Sequence, residues 1–368
     1  MEQRIESFYE SVTFSRAEAS RVWGQDGKEY IDFSCGGAFC AAVGHNNRHL
    51  VKRMVRARLT GVSACYRFRL AERDEYLARL CELTGFEHAV MFSSGTEATE
   101  AAWRVMRKSR GKDGILGMDD AFHGKTLGAQ IMAGAENERG GKDYRWGVPE
   151  AAAGIIMEPY RAYDAQWHSE DAIMRVLDKA KAYNLLLTLD EIQGGFYRTG
   201  KLFGYHHYVD LDGELLLKPD LVCVGKAAFN GFPASVLLGP KWMDDPRFGL
   251  SSTHGGHPLA VAAGMGVLDA LEHITVATAD DFKIMLHAAS HLASGHVQYY
   301  NQEGLLAAVI FDDAETAMRV AELCLHKGLI TIPTGRNAIK LAPALNIGPS
   351  DLREGMEILG EVLNDLKV

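Results

Sequence analysis

NLLLTLDEIQGGFYRTG (184–200) and LVCVGKAAF (221–229) each contain a short apolar run, 185–189 and 221–224, that gives way at once to an ionisable residue, Asp190 in the first and Lys226 in the second. Nearly all-apolar runs of this length, bounded by loop signals, fit strands buried in a parallel sheet. In open α/β sheets, ligands collect at the carboxyl ends of such strands. The pattern therefore predicts an amine and a carboxylate together at the mouth of a doubly wound sheet. An ordinary ion pair at a sheet edge would leave the same trace, so the rest of the chain has to separate the two.

Working outward, HAVMFSSGTEATEAAWRVMRKSR (88–110) reads as strand, tight turn and helix. Its turn, Ser93-Ser94-Gly95-Thr96, brings free backbone N–H groups, hydroxyls and the positive end of a helix dipole to one point, which suits a phosphate. A plain capped helix start has the same composition. A strand over 114–118 then leads into DDAFHGKTLG (119–128), where Phe122 and His123 offer a flat face to a ring. Gly124-Lys125-Thr126 is not a nucleotide P-loop, because Asp119 stands where that motif requires glycine. A strand at 154–157 ends in Glu158-Pro159, and a helix over 170–182 returns to the Asp190 strand. This alternation from about 89 to 240 predicts a mostly parallel sheet. A strand-end amine and carboxylate beside a phosphate turn are what pyridoxal phosphate needs: the amine forms a Schiff base, and the carboxylate keeps the pyridine nitrogen protonated.

The flanking segments read differently. Residues 12–33 predict two strands around a turn at Asp26-Gly27, and CGGAFCAAVGH (35–45) is a small-residue loop able to approach a ligand closely. Helices are expected over 49–59 and 71–83. Past Lys226 come a turn and a further strand, then SSTHGGHPLA feeding a helix; His254 and His257 lack partners at metal-site spacing, so no metal is expected. From about 280 the pattern is that of a small α+β unit: helix 282–292, strand 305–311, helix 314–326, strands 329–332 and 338–341, helix 351–366. The 368 residues carry 39 basic and 48 acidic side chains, a net charge of -9, and no dense basic run, which argues against nucleic acid. The absence of an apolar leader or membrane-length run predicts a cytoplasmic protein with no membrane partner. Six scattered cysteines with no CxxC pair suggest reduced thiols.

Seven segments together carry a family resemblance: SSGTEATEAA (93–102), AFHGKTLG (121–128), MEP (157–159), DEIQGGFYRTG (190–200), KPDLVCVGKA (218–227), THGGHPLA (253–260) and IKLAPALNI (339–347). In order and spacing they resemble the class III aminotransferases over nearly the whole chain. The resemblance implies the fold type I architecture of pyridoxal-phosphate-dependent transferases. It divides the chain into an N-terminal segment (1–45) joining a small domain, a large cofactor-binding α/β domain (46–275) and a C-terminal small α+β domain (276–368). Lys226 would be the Schiff-base lysine and proton shuttle, Asp190 the partner of the pyridine nitrogen, and Gln193 a donor to the ring hydroxyl. Ser94, Gly95 and Thr96 would serve the phosphate, Phe122 and His123 the ring, and Glu158 would stand behind Asp190 and Gln193. Thr253 would reach the phosphate of a neighbouring subunit, which implies a homodimer. Phe39, Lys125 and Lys340 are candidate substrate contacts. At 125 and 340 the family usually has Arg, and the Gly-rich turns expected after Lys226 and after Glu158-Pro159 are missing, which puts glutamate or 2-oxoglutarate in doubt.

The implied activity is transfer of an amino group between a small amine or amino acid and an oxo acid or aldehyde through a pyridoxamine form. An aminomutase or decarboxylase on the same scaffold, or a non-catalytic relative with a regulatory role, are the alternatives.

Overall fold

The structure is a computed structural model that describes residues 1–133, 149–274, 278–292 and 295–366. Its centre is a six-stranded sheet in the order His88–Phe92, Ser235–Gly239, Leu221–Val224, Leu186–Asp190, Ala152–Met157, Gly114–Leu116. The last four strands are mutually parallel, whereas Ser235–Gly239 runs antiparallel to both its neighbours. The sheet is thus mixed, because the chain turns straight back after Lys226 instead of crossing over through a helix.

Both faces of this sheet are covered, which is why its strands carry apolar side chains at nearly every position. Ile156, Leu186, Leu221, Cys223 and Leu237 face one way and pack on Ala98, Ala101, Ala102, Val105 and Met106 of the helix Gly95–Arg110. The alternate residues Ile155, Met157, Leu187, Leu189, Val222, Val224 and Val236 belong to the opposite core with the helices Glu170–Tyr183 and Pro258–Leu271. The small residues of the first helix let it lie close to the strands. A Cβ at Gly154 would come within 2.1 Å of Met106 Sδ and 2.6 Å of the Leu186 carbonyl. Each fully buried Leu or Val stabilises the sheet by roughly 1.5–3 kcal/mol.

The register places the chemistry. Cys223 pairs with Asp190 and Met157 with Leu189, so Glu158, Asp190 and the residues after Val224 emerge at one edge. The Ser93-Ser94 turn follows Phe92 at that same edge, opposite Ser235.

Away from this sheet the expected elements need three corrections. The segment 12–33 forms three strands, Phe14–Glu18, Arg21–Gly24 and Glu29–Asp32, preceded by a helix Glu2–Glu10. Residues 329–332 split into Leu329–Ile330, which pairs in parallel with Glu29–Asp32, and Ile332–Pro333, which joins a different, antiparallel sheet. That second sheet includes an unexpected strand, Val297–Glu303, whose polar sequence hid it because most of its side chains lie half-exposed. The boundary expected between 275 and 276 lies outside the described residues.

Candidate active site

Ser94, Gly95, Thr96, Phe122, His123, Gly124, Glu158, Asp190, Ile192, Gln193 and Lys226 line a single pocket of about 290 Å³ at this sheet edge. Apart from Gly124 and Ile192, every residue in this lining is one that the sequence nominated for the cofactor.

The turn at 93–96 is built by a capping box. Glu97 accepts the backbone N–H groups of Ser93 and Ser94 at 2.6 and 3.1 Å, while the Ser94 hydroxyl accepts from the N–H of Glu97 at 3.4 Å. These bonds satisfy the donors on either side of Gly95 and Thr96, and leave the N–H groups of those two at the open end of the helix. The Ser94 hydroxyl accepts in the cap and keeps its own proton to donate, while the Ser94 carbonyl accepts from Ser235 Oγ at 2.6 Å. A Cβ at Gly95 would lie 3.0 Å from Ile192 Cδ1, so a side chain there would be tight against this wall.

Asp190 is buried, with Oδ2 2.8 Å from His123 Nδ1 and Oδ1 accepting the N–H of Ile192 at 3.1 Å. His123 thus meets Asp190 through its ring edge. Burial works against charge on this imidazole, but the bond and charge of Asp190, with the charge of Glu158 behind them, raise its pKa above the usual histidine value. Glu158 accepts the Phe122 N–H at 2.9 Å. Burial raises the pKa of its carboxyl; the positive charges of His123 and Lys226 pull the other way. Burial also raises the neighbouring Glu191, to about 8, against the N–H groups of Gly204 and Tyr205 that it accepts at 2.9 Å each.

Lys226 sits one residue past the extended Gly225, with φ of 39°. A side-chain-bearing residue in this left-handed region costs about 1–2 kcal/mol, and strain of this kind clusters at functional sites.

The pocket suits pyridoxal phosphate on this chain's own features. Gln193 lines the pocket, and its Oε1 atom is buried without a hydrogen-bond partner among the described residues. Phe122 is 49% exposed and contributes an apolar side chain to the pocket wall. Residues 5–143 and 139–363 match the family profile Aminotransferase class-III.

The chain belongs to the class III aminotransferases. It is a pyridoxal-phosphate-dependent aminotransferase of fold type I. Among curated relatives of this family it is 27% identical over 381 residues to an acetylornithine aminotransferase of Clostridium acetobutylicum, with 95% of this chain and 96% of the relative covered. It is 29% identical over 410 residues to a 2-aminoadipate transaminase of Pseudomonas putida, covering 96% of each. Its fold is that of the ornithine aminotransferase of Toxoplasma gondii (TM-score 0.85, 21% identity, 97% of this chain and 91% of that one). A like match is an S-selective transaminase of Bacillus megaterium (TM-score 0.84, 18% identity, 97% and 93% covered).

In this aminotransferase the candidate substrate residues fall in two groups. Lys340 and Phe39, which are not in the pocket lining, meet each other: Lys340 Nζ donates to the Ala162 carbonyl at 2.9 Å and lies 4.7 Å from the centre of the Phe39 ring. Burial, reinforced by the charge of Lys226, lowers its pKa to about 7. Lys125 is exposed and lies outside the pocket lining, as does Thr253, although its neighbour Ser252 touches Ser93 Oγ and Glu97 at 3.3 Å. Sequence reasoning missed Ile192 as a wall of the pocket and the His123–Asp190 pair. Ile192 had a local signal in its place two residues beyond Asp190; the pair joins residues 67 apart and had none.

Proposed function

We propose that Lys226 holds the cofactor, that Asp190 faces its ring nitrogen, that Gln193 meets its ring hydroxyl, and that the N–H groups of Gly95 and Thr96 bind its phosphate. The observation that carries this reading is the convergence of all five residues on one pocket. When bound, pyridoxal phosphate supplies an aldehyde that receives the amino group and a conjugated ring that takes up the electron pair left when the donor loses its proton. Lys226 Nζ, once free, is the base for the proton on the amine-bearing carbon. Asp190 keeps the ring nitrogen's proton in place, oriented by His123 and the Ile192 N–H. Phe122 covers one face of the site and limits water. Titrating the protein with amino donors and following the cofactor spectrum tests the reading: stable conversion to the pyridoxamine form is expected, and regeneration of the starting form without an acceptor would contradict it.

For the substrate, we infer an amino-acid donor or oxo-acid acceptor whose carboxylate is met by Lys340, with Phe39 and Ala162 setting its position. The relatives named for acetylornithine and 2-aminoadipate support an amino-acid substrate. Lysine offers a compact charge instead of arginine's planar fork, so the contact is less directional. Lys340→Ala raises the KM of a carboxylated substrate roughly tenfold, the loss of one charged hydrogen bond, with a smaller change in kcat. The amine is charged below about pH 7 and neutral above it. In the unmodified protein, KM for such a substrate therefore rises as pH increases through neutrality, and the variant lacks that rise. Equal KM-pH profiles would count against Lys340.

We further propose a homodimer with Thr253 serving the phosphate of the partner's site, consistent with its exposure and its position outside its own chain's pocket lining. Inactive Lys226→Ala and Thr253→Ala chains, mixed, then recover part of the activity. An active monomer in sedimentation would refute this arrangement.

A further inference from the structure

Hydroxyl groups tie the first turn of the helix Gly95–Arg110 to the loop that carries Phe122, and the direction of their protons can be worked out. Thr99 Oγ1 lies 3.0 Å from the Thr96 carbonyl and 2.9 Å from that of His123. Thr126 Oγ1 donates to Glu100 Oε1, and the same Thr126 oxygen is 2.5 Å from Thr96 Oγ1. Two glycines make the close approach possible. A Cβ at Gly124 would lie 2.5 Å from Thr96 Oγ1, and one at Gly128 would lie 2.8 Å from Glu100 Cδ.

A hydroxyl has one proton to give, and a carboxylate has none. The Thr126 proton goes to Glu100, so the bond between Thr126 and Thr96 must take its proton from Thr96. What Thr96 Oγ1 then has left for the phosphate is lone pairs, which phosphate oxygens repel. The backbone N–H groups of Gly95 and Thr96 are untouched by this relay.

We propose that Glu100 is a positioning residue that holds the Thr96 hydroxyl polarised away from the cofactor's phosphate, leaving the phosphate to the backbone N–H groups of Gly95 and Thr96. The inference rests on the phosphate assignment made above. In this arrangement the Thr96 hydroxyl fastens the Phe122 loop to the helix, and its grip on the phosphate is latent until Glu100 is changed.

The test is the dissociation constant of pyridoxamine 5′-phosphate from the full-length, cofactor-free chain, measured by calorimetry, with melting temperatures as a check on folding. Glu100→Gln can offer an N–H to Thr126, which can then donate to Thr96, and Thr96 to phosphate. Binding tightens by about tenfold, the value of one hydrogen bond to a charged group. Thr126→Val frees the Thr96 proton by a second route and tightens binding to a similar degree. Introduced into the Glu100→Gln background, Thr96→Val cancels the tightening. Tightening that survives Thr96→Val would mean that removal of a negative charge is the whole effect, and would overturn the proposal. So would a large loss from Thr96→Val alone at unchanged melting temperature. Gly95→Glu separates the two layers of argument. If it abolishes binding while the Glu100 and Thr96 changes do not couple, the role of Glu100 is wrong and the phosphate assignment stands; if it leaves binding intact, both fall.

Discussion

Lys226→Ala yields a protein from which pyridoxal phosphate can be removed by dialysis, in which borohydride fixes no cofactor to the chain, and whose turnover is lower by about a thousandfold or more, as the role proposed for Lys226 as proton-transferring base requires. The Ala methyl group cannot reach the aldehyde, and no other described lysine lines the pocket. The fold survives the change, because the strand Leu221–Val224 is held by pairing on both sides and by a core that does not use the ammonium group. Borohydride labelling at a different lysine of the unmodified protein would overturn the assignment.

Asp190→Asn separates binding from chemistry. The amide can still accept the Ile192 N–H at the Oδ1 position, so the cofactor remains bound, but it offers no charge to the ring nitrogen. The His123 imidazole, whose pKa is raised by the charge of Asp190, falls back toward its ordinary value or below it, since burial then acts unopposed by that partner. Proton abstraction from the donor slows by roughly a hundred- to a thousandfold. Two measurements check this: the deuterium-exchange rate at the amine-bearing carbon, and the imidazole's titration by NMR. An exchange rate equal to that of the unmodified protein would show that another group tunes the ring.

The strands around Asp190 and Lys226 were legible because burial on both faces forces uninterrupted apolar runs, and such runs end where the chain meets the ligand edge. Val297–Glu303 was not, since a half-exposed strand needs neither an apolar run nor a strict alternation. The reversal of Ser235–Gly239 was equally silent: SVLLG reads the same in either direction, and only the short link from Lys226 hinted that no crossover helix could intervene. In the site, the residues that come to line one pocket could be read from local motifs. Lys340 and Lys125 could not be told apart by sequence, yet one is held between the Phe39 ring and the Ala162 carbonyl and the other is exposed. What separates them is the path of the chain between strands, which no short pattern records.

The antiparallel strand also governs when this enzyme can come into being on the ribosome. The strand His88–Phe92, which delivers the phosphate turn, lies at the sheet's edge and has Ser235–Gly239 as its one strand neighbour in that sheet, made roughly 140 residues later. Glu29–Asp32 waits longer still, for Leu329–Ile330. Contacts so distant along the chain form late and fold slowly. A nascent chain that has already exposed the Ser93-Ser94 turn has no sheet to hold it and no Lys226 opposite it, so vitamin B6 cannot template the early stages of folding. Cofactor capture on this arrangement needs Ser235–Gly239 as well as Lys226, and truncated chains ending before Gly239 should retain none.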